Sequence, residues 1–164
     1  MEISINSRYF NKEKREYLLD LANWTGTKLM GPRLSRNLNL TIDVMSKKDY
    51  LKGSLYAYTE ITDDENKRNP RDFTITMTNR VGIMRSLIIL AHEMVHVKQY
   101  ARNELSYSNR TNNDLWMGKP LGIGNIDYWD LPYEIEANGR EKGLVYQWCN
   151  SRKLCDKNWY RKLF

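Results

Sequence analysis

Both histidines of the 164-residue chain fall within one five-residue run, His92-Glu93-Met94-Val95-His96. Residues four apart on a helix lie one above the other on the same face, so both imidazoles reach a single ion. Glu93 is turned by about 100° from His92. That places its carboxylate beside the ion rather than on it, where it can take a proton from a metal-bound water. Two histidines scattered at random over this length fall four apart roughly 1% of the time, and a glutamate in the second place makes the coincidence rarer still. The chemistry such a set performs is metal-assisted hydrolysis.

A catalytic zinc site takes three protein ligands and keeps a fourth position open. With both histidines already used, the third ligand is a carboxylate or, failing that, a cysteine. The carboxylates nearest to hand lie in Pro132-Tyr133-Glu134-Ile135-Glu136-Ala137-Asn138. This run opens a helix in which Asp130 suits the N-cap and Pro132 the first turn, and which is expected to run to about Trp148. Asn138 stands four residues after Glu134 and shares its helix face. Four residues after the rival Glu136 stands Arg140, which has no acceptor to offer a ligand histidine. The spacing therefore favours Glu134 over Glu136.

The HExxH run followed by Glu134-Ile135-Glu136-Ala137-Asn138 resembles the gluzincin metallopeptidases, above all their small members. The longer form HExxHxxQ, ending at Gln99, and Pro-Tyr-Glu-Ile-Glu-Ala also resemble small SprT-like metallopeptidase proteins of phages and bacteria, although true SprT proteins carry a third histidine. The likeness covers residues 73–145. It implies a zincin fold, Zn2+ held by His92, His96 and Glu134, Glu93 as general base, and Asn138 steadying a ligand histidine. It also implies that an edge strand above the motif helix pairs with an extended peptide. Phe73 to Thr78, which directly precedes that helix, is the expected strand. Tyr100, Tyr128 and Tyr133 are candidates to place a phenol near a developing oxyanion.

The elements that must position these groups follow from periodicity. Residues 82–101 read as a helix whose first half, Ile83 to Ala91, is apolar nearly all round and so should be buried. Residues 11–24 read as a helix capped by Asn11, with Thr25-Gly26 and Gly31-Pro32 breaking the chain after it. Leu38 to Val44, Leu55 to Ile61 and Phe73 to Thr78 alternate as half-buried strands. The polar stretch Asp63 to Pro70 implies a hairpin between the last two. Residues 104–131 read as loop. Gly139 and Gly143, four apart, are expected to let the last helix approach the motif helix closely. The expected architecture is α+β: a small zincin-like domain with a mostly antiparallel sheet of three or more strands, the motif helix packed on it and a second ligand helix across.

Composition sets the outer bounds. An apolar content of 41% over this length suits one folded domain spanning residues 1–164. The sequence has no apolar run long enough for a transmembrane helix and no signal-peptide pattern. A cytoplasmic protein is expected, or one in the host cytoplasm or virion if phage-encoded. Cys149 and Cys155 read as two free thiols. The net charge is +6. From Arg140 onward seven basic residues face Glu141 and Asp156, giving 7 − 2 = +5, densest in the segment 150–164. Its basic residues and aromatics suit a nucleic-acid backbone as well as a solvated face. The expected activity is hydrolysis of a peptide or protein substrate. The alternatives are a catalytically silent zincin-fold scaffold, a DNA-associated binding protein or a structural component of a larger particle.

Overall fold

The structure is a computed structural model and describes residues 1–6, 9–45, 56–63, 69–108, 110, 112–122 and 126–163. Strands β1 (Glu2–Ile5), β2 (Asn39–Val44), β3 (Ala57–Ile61) and β4 (Asp72–Met77) form one sheet in the order β1-β2-β4-β3. The β3–β4 pair is antiparallel, with Ala57 opposite Met77 and Ile61 opposite Phe73, as the polar stretch between them implies. The β1–β2 and β2–β4 pairs are parallel. The main sheet is therefore mixed, not mostly antiparallel. Parallel neighbours need a long crossover, and helix α1 (Lys12–Arg36) supplies one between β1 and β2. Strand β1, with only Ile3 and Ile5 to signal it, is too short for its alternation to stand out.

One face of this sheet is the core face. Leu40, Ile42, Ala57, Phe73, Ile75 and Met77 are buried there, while Thr41 and Thr74 alternate with them and are only partly buried. Helix α2 (Ile83–Ala101), which carries the motif, packs on β3 and β4. Its apolar first half is buried as expected: Met84, Leu87, Ile88, Ile89, Leu90 and Ala91 all lie in the core. The Arg71 guanidinium donates to the Ala101 carbonyl at 3.0 Å and so ties off the far end of α2.

Helix α1 is longer than its sequence suggests. Asn11 caps it, accepting from the Lys14 amide at 2.8 Å. The chain does not break at Thr25-Gly26. A Cβ at Gly26 would stand 2.6 Å from the Met1 methyl carbon, so this glycine serves a close approach and not a turn. The break comes at Gly31, whose φ of 79° is the left-handed region, and Pro32 then starts the final turn.

The last helix, α3 (Pro132–Ser151), starts at Pro132 as predicted, but its N-cap is Leu131 and no side chain caps it. Its C-terminal half is clamped to α1. The buried Trp148 indole donates to Asp20 at 2.9 Å, and Arg152 closes on both oxygens of the same carboxylate at 2.7 and 2.9 Å. Gly139 and Gly143 face open space and mediate no close approach. The buried residues of α3 are Ala137, Leu144, Val145 and others of that face.

Between α2 and α3, the stretch read as loop folds into a second, antiparallel sheet of β5 (Leu105–Ser108), β6 (Asn113–Trp116) and β7 (Lys119–Pro120). These strands are short and polar. Met117 and Gly118, with φ of 50° and 77°, turn β6 into β7 in the geometry that favours tight hairpins. Among the described residues, no helix is long and apolar enough to cross a membrane.

Candidate metal centre

His92 and His96 project from one face of α2, and Glu134 reaches them from the first turn of α3. The two histidine Nε2 atoms are 3.1 Å apart. Glu134 Oε2 is 3.3 Å from His92 Nε2, and its Oε1 is 3.5 Å from His96 Nε2. One ligand atom from each of the three residues lies within 4.8 Å of the other two, a grouping that could hold a metal ion. Glu134 and His96 are buried, and His92 is partly so.

The hydrogen bonds around the rings fix which nitrogen faces the cluster. His92 Nδ1 lies 3.0 Å from Glu141 Oε2, and His96 Nδ1 lies 2.8 Å from Gln99 Oε1. The Gln99 amide nitrogen donates to the Tyr133 carbonyl and to Glu136, which leaves its oxygen as the acceptor. Each Nδ1 is thus the donor, and each Nε2 faces the cluster. Glu134 Oε2 is buried and finds no well-directed hydrogen bond. Two inward-facing ring nitrogens and a buried carboxylate are the donor set that a divalent cation satisfies.

Charge reinforces this arrangement. Burial works against a charged His92, but the hydrogen bonds to Glu134 and Glu141 prevail and push its pKa up to about 9. Burial likewise works against the Glu134 carboxylate, yet His92, the charge of His96 and the Tyr128 phenol hold it below the usual range. With its pKa raised, the metal-free His92 ring holds a proton at neutral pH that a cation would have to displace.

Glu93 is buried one position along α2. Burial pushes its carboxyl up, while the charge of His96 and a 2.8 Å hydrogen bond from Thr59 Oγ1 on β3 oppose the shift. Its side chain borders both clefts that meet at the cluster. One, of about 200 Å3, runs toward Tyr100, Leu105, Asp114 and Tyr133. The other, of about 620 Å3, runs toward Arg85, Ile88, Ile89 and the exposed Trp129. The structure brings all three candidate tyrosines to the smaller cleft. Burial pushes the Tyr100 phenol up to about 12, with Asp114 adding to the effect.

Two expectations need correction. Asn138 does not brace a ligand histidine, because its amide turns back to the Glu134 carbonyl at 2.9 Å. That work falls to Glu141 and Gln99. Glu141 is seven residues after Glu134, two turns along the same face, a spacing that could have found it. The rival Glu136 is engaged elsewhere, paired with Lys98 at 2.7 Å and with Arg140 at 3.0 Å. The strand Phe73 to Thr78 is not an edge strand, since β4 is paired on both sides by β2 and β3. The edge beside the site is β3, whose Ala57, Tyr58 and Thr59 line the smaller cleft. Cys149 is buried and Cys155 exposed, both as free thiols remote from the cluster.

Comparison of the chain with protein-family models, with curated proteins and with solved structures finds no match in any of the three.

Proposed function

We propose that the chain is a zinc-dependent peptidase of the zincin kind, with His92, His96 and Glu134 as the ligands and Glu93 as the general base. The observation that carries this reading is the convergence of two histidine Nε2 atoms and one glutamate on a single point, with the buried Glu93 carboxylate, held by Thr59, beside them. A divalent cation bound there supplies Lewis-acid polarisation of a carbonyl and an acidified water. Two histidines and a carboxylate with an open position favour zinc among such ions.

The chain's own groups do the rest. Glu93, with its pKa raised by burial, takes a proton from the attacking water and returns it to the leaving amine. Glu141 and Gln99 hold the two rings in the tautomer that presents Nε2. Tyr128, whose phenol bonds to Glu134, and Tyr133, 6.1 Å from the His96 ring, are the candidate phenols for a developing oxyanion. Strand β3 gives a substrate somewhere to lie. Its Tyr56 carbonyl and Thr62 amide pair with β4, so the alternate residues Ala57, Thr59 and Ile61 turn their backbone groups to the free edge. An extended peptide pairing there runs alongside Glu93.

The test combines elemental analysis of the purified chain with hydrolysis of an unfolded protein such as casein. About one zinc per chain and cleavage that stops on chelation are expected. A chain that carries no transition metal and takes up none would refute the centre. A zinc-loaded chain that cuts no peptide would refute the peptidase.

A further inference from the structure

Asp114 is a carboxylate on the wall of the smaller cleft, and among the described residues nothing balances it. In the β5–β6 ladder Asp114 stands opposite Tyr107, and Leu105 opposite Trp116. Side chains two apart on a strand share a face, so Leu105, Asp114 and Trp116 look the same way. That way is toward the metal centre: the Trp116 ring lies 6.5 Å from Tyr133, and Leu105 and Asp114 line the cleft together with Tyr100. Burial pushes the Asp114 carboxyl up, and among the described residues neither a cation nor a hydrogen bond opposes the shift. A partly desolvated carboxylate without a partner is costly in a folded chain and commonly marks a binding site.

We propose that Asp114 is the specificity residue of the cleft, accepting a cationic group of the substrate next to the bond that is cut. The walls suit such a group. Leu105, Tyr100 and Tyr133 offer apolar flanks for an aliphatic stem, and the carboxylate receives the charge beyond it, the division that lysine and arginine side chains need. A free N-terminal amine presents the same charge on a shorter reach. The assignment rests on the peptidase reading of the neighbouring centre and deepens it by naming the substrate class.

The test uses the full-length, zinc-loaded Glu93→Gln chain, which should hold peptides without cutting them. Fluorescent alanine hexapeptides carry one lysine, arginine, norleucine or glutamate at each position in turn, with free or acetylated N-termini. Lysine and arginine peptides are expected to bind at least about 10-fold more tightly than norleucine peptides at one position. If the N-terminal amine is the ligand, acetylation abolishes the gain instead. Adding Asp114→Asn should erase the preference while bound zinc is unchanged, and Asp114→Lys should shift it to glutamate. Equal binding across the set, or a preference that survives Asp114→Asn, overturns the assignment. Hydrolysis of the same peptides by the wild-type chain is scored separately. A binding preference without any cleavage would sink the peptidase and leave the role of Asp114 standing.

Discussion

Among the described residues, Glu93 has Thr59 as its one side-chain hydrogen-bond partner. Glu93→Gln keeps the shape and the Thr59 contact but cannot accept a proton. It should retain about one zinc per chain and lose hydrolysis by a factor of roughly 100 or more; a variant that cut as fast as wild type would remove Glu93 from the mechanism. The residues at and around the proposed centre rank by what each touches. Glu134→Ala removes a ligand atom and should weaken zinc most. Glu141→Ala frees the His92 ring and should cost about 10- to 100-fold in affinity. Asn138→Ala loses only a bond to a helix carbonyl and should cost little. Zinc titration against a competing chelator orders the three, and Asn138→Ala ranking above Glu141→Ala would reverse the assignment. Much of this is legible in sequence, because a spacing of four is a property of the helix itself and needs no tertiary information. Asn138 misleads for the opposite reason. Its side chain can satisfy itself on the backbone one turn back, a local option open to Asn, whereas the longer Glu141 must reach across to another helix.

At the level of elements, the same distinction recurs. The alternation in β2, β3 and β4 and the apolar first half of α2 are local patterns, and each appears in the fold where the sequence puts it. Which strand lies at the edge is not local. Phe73 to Thr78 reads like an edge because it precedes the motif helix, but β2 returns to cover its far side. Strand order depends on that crossover and not on any residue within β4. The hairpin Leu105–Trp116 is hidden for a related reason, since four-residue polar strands leave too few apolar positions to count. The junction of α1 and α3 is testable at this scale. Trp148 is wholly buried against α1 and bonds to Asp20, which also receives Arg152. Trp148→Ala should cost about 3–5 kcal/mol in stability, as large-to-small core changes do. Asp20→Ala should cost less, about 1–3 kcal/mol, by leaving the buried indole N–H unpaired. Urea denaturation of the two variants decides. Equal losses would mean that the carboxylate and not the packing seats α3.

For the molecule as a whole, the basic C-terminal region turns Trp148 and Trp159 inward and leaves Tyr146 exposed. Trp148 is core, and Trp159 packs against Tyr17 with ring centres 5.2 Å apart. Stacking on bases would need those two rings outside, whereas the basic residues of this region, Arg140, Lys142, Arg152, Lys153, Lys157, Arg161 and Lys162, are all exposed. Charge matters more at the centre, through the coupling of metal, proton and fold. In the metal-free chain His92 is raised from 6.5 to about 9 by Glu134 and Glu141, against its burial. The sign follows directly. A raised histidine contributes stability that is fully present below its unfolded value, about 6.5, and is lost as pH climbs through about 9. The metal-free chain should therefore lose stability between these limits. Zinc binding must expel that same proton, so affinity should rise over the same interval, by up to about tenfold per pH unit. Both effects act together, and the increase in Tm on adding zinc should widen steadily from pH 6.5 to 8.5. Calorimetric titration in buffers of different ionisation enthalpy should find close to one proton released per zinc at pH 7. Release of none, or a Tm increment that is flat with pH, would show that His92 is neutral in the metal-free chain and that Glu134 does not hold its proton.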